Sequence, residues 1–126
     1  GKTVKLGADI TINEPNVAAW KEGTETPANT WIPIGTSAKP FAGTFDGQGH
    51  SISGVYLKRA ENYTGVFGAT AQPSIVKNLK VTNSFIDASG NQDLRFAGGV
   101  IGAAFGNVDT IYTDAIVKNR IYNFFI

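Results

Sequence analysis

The stretch Val76-Lys77-Asn78-Leu79-Lys80-Val81 decides the fold, because its pattern recurs on either side of it. Ile52–Leu57 precedes it by 24 residues and Val108–Thr113 follows it by 32, and each stretch spaces its apolar residues in the same way. The motif Gly65-Val66-Phe67-Gly68 recurs as Gly99-Val100-Ile101-Gly102. Short strands repeated at a regular spacing are typical of a solenoid, in which equivalent strands pair in parallel. The sequence therefore predicts an all-β fold, a right-handed parallel β-helix of about three to four turns with a long N-terminal loop covering one side.

Strands are expected to carry this fold, since no segment longer than 16–22 keeps the apolar spacing of a helix. Thr3–Ile12 alternates and predicts one half-buried strand, with Val4, Leu6, Ala8, Ile10 and Ile12 facing inward. Asn13–Lys39 predicts a long connection with one helical turn around Val17–Trp20, and with Trp20 and Trp31 folded back over the core. Further strands are expected at Gly43–Phe45, Ser51–Leu57, Thr64–Phe67, Ile75–Val81, Phe85–Asp87, Gly99–Ile101, Val108–Thr113 and Ile116–Val117, and a protruding loop at Ala88–Arg95.

Length and composition limit the class of protein. A chain of 126 residues suits a single domain over 1–126, which we expect to be a short member or a fragment of a longer repeat family. Lys and Arg total 11 against 10 Asp and Glu and are scattered, so no basic stripe favours nucleic acid. The apolar runs are too short to predict a membrane span, and the absence of Cys excludes disulfides and thiolate chemistry. The chain opens at Gly1 rather than Met, as expected if a targeting segment has been removed or an expression tag trimmed to a single Gly.

Several stretches resemble a known family of repeats. Trp31–Gly35 followed by Phe41–Val55 is similar to the opening of GLUG-repeat proteins, which are adhesin-like β-helices on bacterial surfaces, common in gut Bacteroidetes. The two Gly-flanked motifs resemble the short motif that names that family, with Val in place of Leu, and the likeness extends over Thr3–Val117. It implies a β-helix in a secreted or cell-surface setting rather than an activity. The apolar end, Ile121–Ile126, is open to three interpretations: a capping strand, a homo-oligomer contact, or the cut edge of a longer protein.

Turn residues account for most of the conspicuous polar and glycine positions. We expect a structural turn at Asp46-Gly47-Gln48-Gly49-His50, with Asp46 accepting backbone N–H groups. The other corner residues are expected to be Gly65, Gly68, Gly99, Gly102 and Asn78, where positive φ or close backbone approach is needed. His50 is the only histidine, which excludes a His-based metal cluster or a Ser-His-Asp triad within one chain. A calcium site at Asp46 is the sharper alternative, but a lone Asp argues against it, so no metal and no cofactor are predicted.

Exposed aromatic residues are the candidate ligand contacts, because sugar rings stack on aromatic faces. The candidates are Tyr56, Tyr112, Trp20 and Tyr63, with Trp31 beside them, and Tyr56 and Tyr112 are expected to face outward in one column. No catalytic residue is predicted; Asp87, Asp93 and Arg95 are either a carboxylate and base group or an ordinary solvated loop. The sequence thus favours a non-catalytic surface module that contacts glycans or surface proteins. The alternative is a carbohydrate-active enzyme, a polysaccharide lyase or glycoside hydrolase, or its degenerate relative.

Overall fold

The computed structural model describes residues 2–58, 63–89 and 96–118, and most of them lie in strands. The strands are β1 Thr3–Lys5, β2 Ile10–Thr11, β3 Thr44–Asp46, β4 Ser51–Ser53, β5 Tyr56–Lys58, β6 Tyr63–Thr64, β7 Phe67–Thr82, β8 Phe85–Asp87, β9 Phe96–Ala97, β10 Ile101–Thr113 and β11 Ile116–Lys118. A short helix, α1, spans Val17–Glu22. The prediction of an all-β fold is confirmed. The end of the Ala88–Arg95 loop and the Ile121–Ile126 segment lie outside the described residues.

Every strand pair among the described residues is parallel, as predicted. In the largest sheet β1 pairs with β3, β3 with β7 and β7 with β10. β4 also pairs with β7, and β2 pairs with β4. A second sheet has the order β5, β8, β11, and β6 pairs with β9. Paired residues lie 29 to 34 positions apart from β3 onward, and 41 to 42 apart for β1 and β2, because the 13–33 connection adds length there.

The registers confirm part of the predicted repeat and correct another part. Val76 pairs with Val108 and Phe67 with Ile101, as the spacings of 32 and 34 residues predict. The offset of 24 is wrong, because Ile52 pairs with Val81 rather than with Val76. The corner after β4 explains this register. Gly54 and Asn83 directly follow the last paired residues, Ser53 and Thr82, and have φ 71 and φ 48, and the Gly54 N–H donates to the Thr82 carbonyl (3.2 Å). Left-handed corners therefore fix which apolar residues meet.

The core lies between the sheets and consists of aligned apolar residues. In one ladder Phe45 and Val76 are buried, and Phe67 lies across from Phe45 with ring centroids 5.2 Å apart in an edge-on geometry. The buried cluster comprises Leu6, Phe45, Ile52, Val55, Leu57, Val66, Phe67, Val76, Leu79, Val81, Ile86, Val100 and Ile101. Burying such side chains contributes roughly 1.5–3 kcal/mol each, so the inner ladders stabilise the fold.

The N-terminal segment departs from the prediction of one continuous half-buried strand. β1 and β2 are separated by a bend at Gly7 and Ala8, and Leu6 alone of the five predicted inward residues is buried. Val4 is 44% exposed and Ile10 39% exposed. The cause is position: among the described residues β1 and β2 each have one strand neighbour, whereas a strand inside a ladder is covered on both sides.

The long connection holds the predicted helical turn and both tryptophans, as expected. Gly23 caps the C-terminus of α1: it has φ 79, and its N–H donates to the Trp20 carbonyl (3.2 Å). Trp20 is buried in a second small cluster with Tyr56 and Phe85, and its ring centroid lies 5.8 Å from that of Tyr56. Trp31 packs against the main core and donates from Nε1 to the Val66 carbonyl (2.9 Å). No helix in the described part of the chain is long and apolar enough to cross a membrane.

Candidate functional site

The predicted turn at Asp46 is built on its carboxylate. Asp46 Oδ1 accepts the backbone N–H of Gln48 (2.9 Å) and the Asn78 side-chain amide (3.3 Å). The Gln48 N–H is the main reason that the pKa of Asp46 lies below its ordinary value, with Asn78, Lys77 and Lys5 lowering it further. Gly49, at φ 80, completes the turn. The carboxylate thus serves a structural purpose, and no group of three or more acidic or histidine side chains in the described residues could hold a metal.

His50 follows the turn and contacts a residue that the sequence analysis missed. Its Nδ1 lies 3.2 Å from Oδ1 of Asp9, which also accepts the Ser51 backbone N–H (2.9 Å). That N–H is the main cause of the lowered pKa of Asp9, and His50 adds to it. Asp9 precedes His50 by 41 residues. Only the pairing of β2 with β4 brings the two together, so sequence spacing gave no signal.

The predicted corner residues lie where neighbouring backbones come close. Gln48 and Asn78 have left-handed conformations, with φ of 52° and 54°. Thr110, which was not predicted as a corner, has φ 53° and is aligned with Asn78 between β7 and β10. At the predicted glycines other than Gly49, where nothing lies within 4 Å, a side chain could not be added without a close contact. At three of these glycines a Cβ would meet a backbone carbonyl oxygen: that of Asn78 for Gly47 (2.4 Å), Gly98 for Gly65 (2.9 Å) and Gly35 for Gly68 (2.4 Å). At Gly99 it would lie 2.7 Å from Thr113 Oγ1, and at Gly102 2.7 Å from the Thr64 nitrogen.

A groove with a volume of about 390 Å³ lies at this corner, and we call it the corner groove. Its lining is Gln48, Gly49, Asn78, Leu79, Lys80, Thr110, Ile111 and Tyr112. Tyr112 is 56% exposed. The groove therefore has an accessible aromatic residue beside polar residues that are partly used within the protein: Gln48 Nε2 donates to the Leu6 carbonyl (2.6 Å) and the Thr110 hydroxyl to Asp109 (2.9 Å). Aromatic faces of this kind stack on sugar rings.

Two of the four predicted aromatic contacts are not available as stacking surfaces. Tyr56 is 8% exposed and Trp20 3% exposed, because α1 lays the indole over the tyrosine. The expectation that Tyr56 and Tyr112 share a column is also wrong: Tyr56 pairs with Phe85, whereas Tyr112 pairs with Lys80. Tyr63 is half-buried, and its ring lies 5.4 Å from that of Phe96.

A second pocket, about 290 Å³ in volume, lies beside the helix, and we call it the helix pocket. Lys58, Asp87 and Lys118 occupy one ladder on its wall, with Asp87 buried and in register with both lysines. Asp87 Oδ1 accepts the backbone N–H of Ser89 (2.9 Å) and its hydroxyl. The remaining lining residues are Trp20, Lys21, Glu22, Gly23, Thr26, Tyr56 and Phe85. Asp93 and Arg95, the other members of the predicted polar group, lie outside the described residues.

Comparisons with known proteins give two similar sequences. A protein named as a Gly-rich membrane protein in Evansella cellulosilytica is 34% identical over 82 residues, which is 64% of this chain and 9% of that protein. Halomucin of Haloquadratum walsbyi is 26% identical over 122 residues, covering 95% of this chain and 1% of halomucin. The chain thus spans less than a tenth of either relative. No family model matches the sequence, and no solved structure matches it.

Proposed function

We propose that this chain is a non-catalytic, right-handed parallel β-helix module that makes contact with glycans at a bacterial cell surface or in the secreted fraction. The parallel ladders support the architecture, since strands 29 to 34 residues apart pair in chain order from β3 onward. Parallel crossovers are right-handed in about 98% of cases, which supports the hand of the coil. The resemblance to GLUG repeats and the adhesin-like role that it implies belong to this same proposal.

The setting is supported by the relatives rather than by a site. One is named as a Gly-rich membrane protein and the other as halomucin, and both are far longer than this chain. A rigid coil of parallel strands suits such proteins because it displays its outer side chains at fixed positions. The chain is accordingly proposed to act as a display element in which contact, not turnover, is the function.

The observation that carries the glycan proposal is Tyr112 in the corner groove. The residue is 56% exposed, and Asn78 and Thr110 line the same groove. Stacking on the ring would bury the apolar face of a sugar, and the polar groups would bind its hydroxyls. Lys80 lines the same groove, so an acidic sugar would gain an additional contact.

The test is a glycan array followed by titration of the best polysaccharide against wild type, Tyr112→Ala and Phe105→Ala. Phe105 is the matched control because it is an aromatic residue on the same strand, 64% exposed, that does not line the groove. We expect Tyr112→Ala to weaken binding by on the order of tenfold, the upper end of what one aromatic contact contributes, and Phe105→Ala to leave it unchanged. Equal losses in both variants, or no glycan bound by wild type, would overturn the proposal; a surface protein as partner would then take its place.

The second candidate function is favoured by one observation in the helix pocket. Asp87, which is buried, is in register with Lys58 and Lys118 on the two neighbouring strands, and an acid aligned with bases is the kind of group that a polysaccharide lyase or hydrolase requires. An assay for new reducing ends or unsaturated products, run on the same polysaccharides, distinguishes the two functions. Product formed by wild type and lost in a folded Asp87→Asn variant would establish the enzyme.

A further inference from the structure

The helix pocket brings three amines from separate parts of the chain to one cavity. Lys21 comes from α1, Lys58 from β5 and Lys118 from β11, and all three residues are exposed. The pocket has a volume of about 290 Å³. Sites for small molecules start at roughly 300 Å³, so the cavity suits a small ligand.

The amines of the helix pocket are not neutralised by ion pairs. Over the ranges that the structure describes, the only ion pair joins His50 and Asp9, which do not line this pocket. The pocket has two carboxylates, those of Glu22 and Asp87, and Asp87 Oδ1 already accepts both the backbone N–H and the hydroxyl of Ser89. Three amines thus stand against two carboxylates, and the excess charge is positive.

The strand register favours an anion over a cation in this pocket. Asp87 is in register with Lys58 on one neighbouring strand and with Lys118 on the other. Neighbouring strands lie about 4.8 Å apart, and charges at adjacent positions of a sheet act on each other. A cation brought to Asp87 would therefore be repelled by both lysines, whereas an anion would be attracted by them.

A buried donor among the lining residues has no acceptor. Trp20 lines the helix pocket and is 3% exposed, and its Nε1–H has no hydrogen-bond partner in the described part of the chain. Trp31 differs, because its Nε1–H donates to the Val66 carbonyl (2.9 Å). Buried polar groups are almost always paired in native proteins. An oxygen atom supplied by a ligand would pair the Trp20 indole.

The amines and the unpaired indole call for the same chemistry, an acceptor oxygen that carries negative charge. We propose that the helix pocket binds an oxyanion, either a free ion or the acid group of a sugar. Lys21, Lys58 and Lys118 supply the charged contacts, and the Trp20 indole donates a hydrogen bond to an oxygen of the ligand. This inference rests neither on the corner groove nor on any turnover of the ligand.

The experiment follows the two indole N–H signals of the full 126-residue chain by nitrogen-15 NMR. The additions are sodium sulfate, sodium glucuronate and the neutral sugar glucose, with sodium chloride at equal ionic strength as the reference. We expect a saturable shift of the Trp20 signal with sulfate, with glucuronate or with both. The Trp31 signal should stay in place, because that indole is already paired within the core.

Lysine variants test whether the amines of the pocket carry the binding. Lys58→Gln and Lys118→Gln should each weaken it by about threefold, and the double variant by about tenfold, as expected for partly exposed charge pairs. Lys39→Gln is the matched control, because Lys39 is exposed, lines neither the helix pocket nor the corner groove, and loses the same charge.

Asp87→Asn separates an anion site from a cation site. Removing this negative charge should strengthen oxyanion binding by about threefold, and the asparagine oxygen can still accept from Ser89. Circular dichroism verifies that each variant is folded. The proposal would be overturned by a Trp20 signal that does not shift, by an equal shift with glucose, by an equal loss in Lys39→Gln, or by a folded Asp87→Asn variant that binds no more tightly than wild type.

Discussion

Tyr56 and Tyr112 lie on strands of similar pattern, yet one side of the molecule is covered and the other is open. On the covered side Trp20 of α1 lies edge-on to Tyr56, which is 8% exposed. On the open side Tyr112 is 56% exposed beside the corner groove. The difference comes from the 13–33 connection, because a residue that faces away from the main core is exposed only where no other segment packs over it.

The largest effect that would test this comparison is expected from Trp20→Ala. Removing a buried indole from its contacts with Tyr56 and Phe85 should lower the free energy of unfolding by about 3–5 kcal/mol, measured by urea titration. The matched change on the open side, Tyr112→Ala, should cost less than about 0.5 kcal/mol. Similar costs for the two variants would show that the two sides are not covered differently.

A smaller effect is expected at the open-side corner, where Asn78 and Thr110 are aligned with nearly equal φ. A β-branched residue is strained in the left-handed region, whereas Asn tolerates it. Thr110→Asn should therefore raise the free energy of unfolding by about 0.5–1 kcal/mol. The reciprocal change Asn78→Thr should lower the free energy of unfolding by about 1–2 kcal/mol, because it adds that strain and removes the side-chain amide that donates a hydrogen bond to Asp46.

Thermal and urea unfolding of both variants would provide the measurement. A gain for Asn78→Thr, or a loss for Thr110→Asn, would contradict the left-handed corner. Because neither residue lies under α1, both changes should leave the fluorescence of Trp20 unaltered, which separates the corner from the covered side.

Sequence reasoning found what is local and missed what depends on register. The left-handed Asn78 and the offset of 32 between Val76 and Val108 follow from residue type and apolar spacing, and the structure has both. The offset of 24 failed because Ile52–Leu57 matches Val76–Val81 in pattern, while the corner at Gly54 sets a different pairing. A short apolar pattern fits several registers, and only the turns between strands choose among them.

The candidate site illustrates the same limit. Tyr112 was identified correctly as an accessible aromatic residue, but the burial of Tyr56 depends on Trp20, which lies 36 residues away in sequence. The contact between Asp9 and His50 joins the residues that directly precede β2 and β4 and likewise has no local signature. When a residue depends on a partner that is distant in sequence, it can be recognised only once the pairing register of the strands is known.

The smallest expected effect concerns pH and again separates the two sides. The pKa of Asp46 is lowered chiefly by the Gln48 N–H, so its ionised form is favoured in the folded state. A lowered folded pKa gives stability that is present above the ordinary aspartate value, roughly pH 4, and is lost as the pH falls through the folded value. Urea midpoints at neutral and strongly acidic pH should therefore converge more for Asp46→Asn than for wild type. Asp109→Asn, which removes an equal charge from the same ladder without touching this turn, is the control, and an equal response in both variants would assign the effect to net charge instead.

The covered side, held by apolar burial of Trp20, should keep its near-ultraviolet signal throughout this acid range, because protonating a corner carboxylate does not uncover an indole.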